Sequence, residues 1–275
     1  MRIRFAKMHG AGNDFVLIDD RDGTFPCSRE LLAAIGVRGT GIGCEGVILV
    51  QKSATADFRM RFFNPDGSEA ELCGNGARCV AAFAREIGAA KSDKMCFETL
   101  AGDIRAEILH PATSQPRNLA TSQLVKVEMP QPRDLRDDFI NSGVPHRIVS
   151  VNDLVGVDVE GEGRRIRHSD EFAPAGTNVD FVTYCAPHDV SIRTYERGVE
   201  AETGACGTGS VAAALVGVAQ HGLEFPVNVH TVKGFKLVID GVFDGQAFRS
   251  VSLTGPVARV FDGEIDLDSL DFCHE

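Results

Sequence analysis

The stretch Leu72-Cys73-Gly74-Asn75-Gly76-Ala77-Arg78 decides how this chain is read, because it returns as Ala205-Cys206-Gly207-Thr208-Gly209-Ser210-Val211. In each copy a cysteine precedes Gly-x-Gly and a helical pattern follows. The first pattern is Val80, Phe83, Ala84 and Ile87; the second is Val211, Ala212, Leu215, Val216 and Ala219. This i, i+3, i+4, i+7 spacing predicts an amphipathic helix after each cysteine. Each thiol then stands at a helix N-terminus, where backbone N–H groups lack intrahelical partners and the dipole favours negative charge. The glycines let a ligand approach that backbone closely. Such a place suits a carboxylate, and it predicts a depressed pKa for the cysteine.

The segments flanking the two turns repeat as well. Cys206 falls 133 residues after Cys73, and Thr231-Val-Lys-Gly234 falls 132 residues after Thr99-Leu-Ala-Gly102. Val190 to Tyr195 echoes Phe58 to Phe62, and Val251-x-Leu253-x-x-Pro256 echoes Val127-x-Met129-x-x-Pro132. Asn178-Val-Asp180-Phe181-Val182 reads as the echo of Asn13-Asp14-Phe15-Val16. Two copies are too few for a solenoid. The expectation is an α/β (α+β) fold of two pseudo-symmetric domains, each a curved, mostly antiparallel sheet around one long helix. Between these landmarks, Ile3–Phe5 and Phe15–Ile18 read as strands around a loop over residues 9–14. Ser28 is a candidate N-cap for a short helix ending at Gly36. Residues 111–121 read as a linker and residues 155–167 as a helix-poor surface excursion. The acidic segment 262–275 reads as a solvated tail in which Ile265, Leu267 and Leu270 could dock.

A net charge of −11 argues against binding nucleic acid or an anionic membrane surface. The N-terminal residues alternate charged and apolar types, unlike a signal peptide, and no apolar run approaches the ~20 residues of a membrane span. A cytoplasmic protein is expected. None of the eight cysteines forms a C-x-x-C pair, so no structural zinc is expected. With neither a P-loop nor a dinucleotide fingerprint, no cofactor and no metal are expected. Cys79 reads as core packing.

Copies of one domain present equivalent faces, so a pseudo-twofold axis would bring the two cysteine turns opposite each other. A ligand between them would meet one sulfur on each side. One thiolate removes a proton while the opposing thiol returns one, and the N–H groups of the helix ends stabilise the carbanion beside a carboxylate. This is racemisation or epimerisation. Two low-pKa thiols so placed would also oxidise to a bridge when no ligand separates them.

The runs Asn64-Pro-Asp-Gly-Ser-Glu-Ala-Glu-Leu-Cys73-Gly-Asn-Gly-Ala-Arg-Cys79 and Tyr195-Glu-Arg-Gly198…Thr203-Gly-Ala-Cys206-Gly-Thr-Gly209 closely resemble the diaminopimelate epimerase family. So do Lys7-Met-His-Gly-Ala-Gly-Asn13-Asp14-Phe15 and Thr254-Gly-Pro256. The resemblance implies a pyridoxal-phosphate-independent epimerase that interconverts LL- and meso-diaminopimelate for lysine and peptidoglycan synthesis. It implies Cys73 and Cys206 as the acid/base pair and His146 and Glu196 as residues tuning the thiols. Gly74, Asn75, Gly207 and Thr208 would meet the reacting end of the amino acid substrate. Asn13, Asn64, Asn178, Glu196 and Arg197 would also contact substrate, the asparagines and Arg197 mainly at its distal end. It further implies a homodimer, with a C-terminal tail crossing back to the first domain: residues 1–122 with 260–275, and residues 123–259. Two positions depart from the family pattern. Val144 stands where an asparagine is usual and Gly46 where a glutamine is expected, which predicts looser hold on the distal end. The competing readings are a racemase of proline, hydroxyproline or an acidic amino acid on the same fold, and a thiol-redox or binding protein.

Overall fold

The computed structural model describes residues 1–110, 122–185 and 187–270. The expected linker at 111–121 lies outside them, as do Cys273 and the end of the acidic tail. Two compact units emerge, residues 1–127 with 256–275, and residues 128–255.

The first unit runs β1 (Arg2–Gly10), β2 (Asn13–Asp19), α1 (Arg29–Gly36), β3 (Val47–Gln51), β4 (Phe58–Phe63), β5 (Glu69–Ala70), α2 (Gly74–Glu86), β6 (Lys94–Thr99), β7 (Gly102–Leu109) and β8 (Ser122–Glu128). The second runs β9 (Arg133–Arg136), β10 (Phe139–Asn141), β11 (Pro145–Ser150), α3 (Val159–Arg167), β12 (Asn178–Cys185), β13 (Asp189–Glu196), β14 (Ala201–Thr203), α4 (Gly207–Gln220), β15 (Val227–Thr231), β16 (Lys236–Phe243) and β17 (Phe248–Asp266). In the first unit β1–β2 is antiparallel, β2–β3 parallel, β3–β4 antiparallel, β4–β6 parallel, and β6–β7–β8 antiparallel. In the second, β10–β11, β11–β12, β12–β13, β13–β15 and β15–β16–β17 repeat that sequence of senses. The duplication is therefore one topology used twice. The C-terminal half of β17 pairs with β1 from Gly10–Val257 to Arg2–Asp266. Beyond it, Leu267 and Leu270 are buried in the first unit's core and Ile265 packs against them, so this part of the tail is docked rather than solvated.

Register corrects the expected echoes. Val16 pairs with Val47 and Val47 with Phe63; Arg147 pairs with Val179 and Val179 with Tyr195. Gly46 is thus the counterpart of Asn178, and Asn13 that of Val144. The expected match of Asn178 to Asn13 fails, because β12 repeats β3 rather than β2. Likewise Ala106 pairs with Val127 and its counterpart Ile239 with Leu253. That displaces the expected Val127–Val251 match by two residues, which leaves the side chains on the same face.

Helices α2 and α4 are buried on more than the apolar face that their patterns predict. Every residue from Gly74 to Ala84 is buried, as are Gly207 and Gly209–Gly217. Strands β1, β2, β3, β4 and β7 pack around α2, and β10–β13, β15 and β16 around α4. A helix enclosed by its own sheet has no face to leave polar. Small residues, mainly alanine and glycine, let the strands close on it. The short helices lie elsewhere in the sequence order, each between the counterpart strands β2–β3 and β11–β12. Helix α1 begins as expected, with Ser28 Oγ accepting from the Leu31 N–H at 3.2 Å.

Helix α3 contradicts the helix-poor reading of residues 155–167. Asp158 caps it, accepting from the Gly161 N–H at 2.9 Å. Its glycines are contacts rather than breakers: a Cβ on Gly163 would lie 2.5 Å from Tyr195 Cβ. The loop expected over residues 9–14 is also shorter, since both strands extend to a two-residue turn in which Ala11 and Gly12 adopt φ of 53° and 82°.

Candidate active site

Both cysteines occupy helix N-caps, Cys73 on α2 and Cys206 on α4. Their carbonyls accept the first helical bonds, from Ala77 N–H at 2.7 Å and from Ser210 N–H at 3.0 Å. The glycines that follow admit close neighbours. A Cβ on Gly76 would meet Ile48 Cδ1 at 3.0 Å, and one on Gly209 would meet Asp180 Oδ1 at 2.5 Å. Ile48 and Asp180 are register counterparts, so both turns are shaped by the same strand position carrying opposite chemistry.

Around Cys206 that chemistry is polar. Its buried Sγ accepts from Gly209 N–H and lies 3.4 Å from Thr208 Oγ1. Thr208 Oγ1 stands 2.9 Å from His146 Nε2, and His146 Nδ1 stands 2.7 Å from Asp180 Oδ2. Asp180 Oδ1 accepts from Thr194 Oγ1 at 2.7 Å. His146 and Asp180 have fully buried side chains. Burial first, then the carboxylates Glu196 and Asp180, push the Cys206 thiol well above its ordinary value. This overturns the expected depression for that cysteine. The helix N-terminus favours the thiolate, but desolvation and two negative neighbours outweigh it.

At the first turn the counterpart strand positions carry Phe15, Ile48 and Phe62, and a cation is buried one turn into the helix. Cys73 is half-buried. Arg78, one turn further into α2, is fully buried and donates to Gly74 O at 3.2 Å and to Asn75 Oδ1 at 2.7 Å. Burial lowers its pKa to about 10, while interaction with Cys79 and Cys73 opposes that shift. It therefore remains a cation at neutral pH. Cys79 is a buried core thiol whose pKa burial raises.

The remaining expected residues fall into two groups, one in each unit. Asn13 Nδ2 donates to Glu45 at 2.6 Å, leaving its buried Oδ1 without a hydrogen-bond partner. Nearby, Asp14 joins Lys7 at 2.5 Å and Arg38 at 2.9 Å. Asn64 shapes a turn, donating to Ser68 Oγ at 3.2 Å. In the second unit Asn178 is spent internally: its Oδ1 accepts from Arg197 N–H at 2.8 Å and its Nδ2 donates to Pro145 O at 3.1 Å. Arg197 Nη1 reaches the carbonyls of Ala175 and Gly176 at 3.5 Å. Glu196 accepts from Thr203 Oγ1 at 2.9 Å.

The departures from the family pattern have a local cause at Gly46. A Cβ there would stand 2.5 Å from Phe62 Cε2 and 2.9 Å from Phe63 O, so no side chain fits. Sequence reasoning did not single out Asp180, Thr194 or Arg78, which the structure buries beside the cysteine turns. Asp180 left a signal: a carboxylate inside the apolar strand run Val179–Val182, where charge is rare unless paired.

A family model for diaminopimelate epimerase matches residues 5–127 and 139–260. The diaminopimelate epimerase of Aquifex aeolicus is 41% identical, with 98% of this chain and 100% of that one covered. That of Chlorobaculum tepidum is 40% identical, covering 94% and 100%. Among solved structures, a PhzF-family phenazine biosynthesis protein from Bacillus anthracis superposes with a TM-score of 0.71 at 16% identity, covering 97% and 99%. A probable proline racemase from Agrobacterium radiobacter K84 gives 0.68 at 17%, covering 98% and 94%. At these identities the solved structures establish a shared fold.

Proposed function

The chain belongs to the diaminopimelate epimerase family, and from that premise we propose that Cys73 and Cys206 are the two groups exchanging protons with the α-carbon. The family reaction interconverts LL- and meso-diaminopimelate by cofactor-independent, two-base transfer. It requires one group to take a proton and a second to return one. The observation carrying the assignment is that the two thiols hold the same N-cap position on duplicate helices. Each helix start offers N–H groups ahead of its hydrogen-bond ladder, and these would meet the substrate carboxylate and the charge that develops beside it.

The thiols enter the cycle unequally. Cys206, held protonated by its surroundings, is the resting acid. The buried Arg78 cation favours negative charge at Cys73, the resting base. Gly74, Asn75, Gly207 and Thr208 take the reacting end, with His146 and Glu196 tuning the thiols. Asn13, whose Oδ1 is an unfilled buried acceptor, would receive the distal ammonium, while Asn64, Asn178 and the Arg197 cation would hold the other polar groups of the distal end. The family resemblance supports a homodimer working in the cytoplasm.

Cys73→Ser and Cys206→Ser should each lower kcat by about 10²–10⁴-fold with an unchanged circular-dichroism spectrum. A variant that turns over diaminopimelate at half the original rate would remove its cysteine from the mechanism.

A further inference from the structure

We propose that Asp180 is the positioning residue for His146, and that His146 and Thr208 form a proton relay ending on the sulfur of Cys206. This rests on the reading of Cys206 as an acid/base group. Four contacts form one unbroken chain: Thr194 Oγ1 to Asp180 Oδ1, Asp180 Oδ2 to His146 Nδ1, His146 Nε2 to Thr208 Oγ1, and Thr208 Oγ1 to Cys206 Sγ. An ionised carboxylate can only accept hydrogen bonds. Asp180 therefore holds the proton of the neutral imidazole on Nδ1 and leaves Nε2 as the basic nitrogen, aimed at Thr208.

The threonine hydroxyl both donates and accepts, so the chain has two arrangements. In the first, the Cys206 S–H donates to Thr208 Oγ1 and the Thr208 O–H donates to His146 Nε2. In the second, His146 Nε2–H donates to Thr208 Oγ1 and the Thr208 O–H donates to an anionic sulfur. Passing from the first to the second breaks the S–H bond and the original Thr208 O–H bond. It forms a new Thr208 O–H bond and an Nε2–H bond. One proton moves from sulfur to imidazole and no electrons change hands. The imidazolium so formed lies against the Asp180 carboxylate, which compensates its charge. The relay thereby explains how a thiol that burial, Glu196 and Asp180 hold protonated can still release its proton during turnover.

The fold does not require these groups. At the counterpart positions the first unit carries Phe15 for His146, Ile48 for Asp180, Phe62 for Thr194 and Asn75 for Thr208, with the same strand pairing. At the His146, Asp180 and Thr194 positions the backbone is equally satisfied by hydrocarbon. Burying an aspartate and a histidine there instead has a desolvation cost that stability alone does not justify.

The test uses Asp180→Asn, Thr208→Val and Thr208→Ser in the full-length protein, with steady-state kinetics and nitrogen-15 NMR of labelled histidine. The wild type should show His146 protonated on Nδ1 in its neutral form, and Asp180→Asn, whose amide can donate, should move that proton to Nε2. Asp180→Asn and Thr208→Val should lower kcat at least about tenfold, with the KM of Asp180→Asn within about twofold. Thr208→Ser, which keeps the hydroxyl, should restore most of the rate. A wild-type His146 protonated on Nε2 alone, or Thr208→Val with the kcat of Thr208→Ser, overturns the relay. Should Asp180→Asn not fold, the wild-type spectrum and the Thr208 pair still decide. Cys206→Ser separates the two readings. If it is inactive while the Thr208 and Asp180 variants keep wild-type kcat, only the relay falls. If Cys206→Ser itself is active, the acid/base assignment falls first.

Discussion

Cys73 and Cys206 share a backbone position but not an environment. Beside Cys206 stand Asp180, His146, Thr194 and Glu196; their counterparts in the first unit are Ile48, Phe15, Phe62 and Asn64. The polarity reverses at one more place, where Arg78 on α2 corresponds to Val211 on α4 and both are fully buried. One thiol turn is thus set beside carboxylates and a histidine, the other beside uncharged side chains and a guanidinium. Strand pairing and the Gly-x-Gly turn hold the shape in both units, which leaves the side chains around each sulfur free to specialise. An enzyme that removes a proton with one group and returns it with another gains from such inequality, because a resting acid and a resting base are both needed at once.

Exchanging the reversed positions should have the largest effect. Gly74 O and Asn75 Oδ1 accept hydrogen bonds from the two terminal nitrogens of the buried Arg78, whose Nε has no hydrogen-bond partner. At the second turn the residue corresponding to Asn75 is Thr208, whose hydroxyl is engaged with His146. Val211→Arg would therefore bury a cation with no cradle and should lose about 3–5 kcal/mol of unfolding free energy, read from urea denaturation. A loss below about 1 kcal/mol would mean that α4 offers the same accommodation as α2 and that the two environments are less distinct than their residues suggest.

A second contrast lies in the short helices. Helix α1 docks through Leu31, Leu32 and Ile35, whereas α3 docks through Val159 and Gly163. Alanine normally stabilises a helix by about 0.5–1 kcal/mol over glycine. At Gly163 its methyl would stand 2.5 Å from Tyr195 Cβ and 2.6 Å from Tyr195 Cγ. Gly163→Ala should instead destabilise by about 1–3 kcal/mol, lowering the urea midpoint. A raised midpoint would show that α3 can slide on β13 without loss.

These contrasts also mark how far the sequence could be read. The cysteine turns, their helices and the duplication were legible, because glycine spacing and apolar periodicity are local signals. The enclosure of α2 and α4 was less so: alanine-rich patterns look amphipathic when the partners covering the other face are distant in sequence. Helix α3 was hidden because Gly161 and Gly163 look like breakers until Asp158 is placed against the first and Tyr195 against the second. The equivalence of Asn178 with Gly46 needed the parallel pairing of β11 with β12, which no short motif reports. Asp180 was visible as an oddity in a strand, but its purpose depends on His146, 34 residues away.

The finest contrast concerns how Cys206 responds to alkali. Its folded pKa lies above the ordinary thiol value of 9.0, chiefly through burial and then through Glu196 and Asp180. In the unfolded chain the same thiol ionises near its ordinary value. The stability linked to this group is therefore whole below pH 9 and is lost as pH rises toward the folded pKa, because the unfolded state sheds a proton that the folded state keeps. For one thiol the slope is about 1.4 kcal/mol per pH unit. Cys79 and Cys44 are raised by burial too and add to the alkaline loss of the whole protein. Subtracting the unfolding free energy of Cys206→Ser from that of the wild type isolates Cys206. The difference should be constant below pH 9 and fall above it. A difference that stays flat to pH 10.5 would mean that Cys206 ionises as freely as an exposed thiol, and that the carboxylates gathered around it do not make its turn the acidic half of the pair.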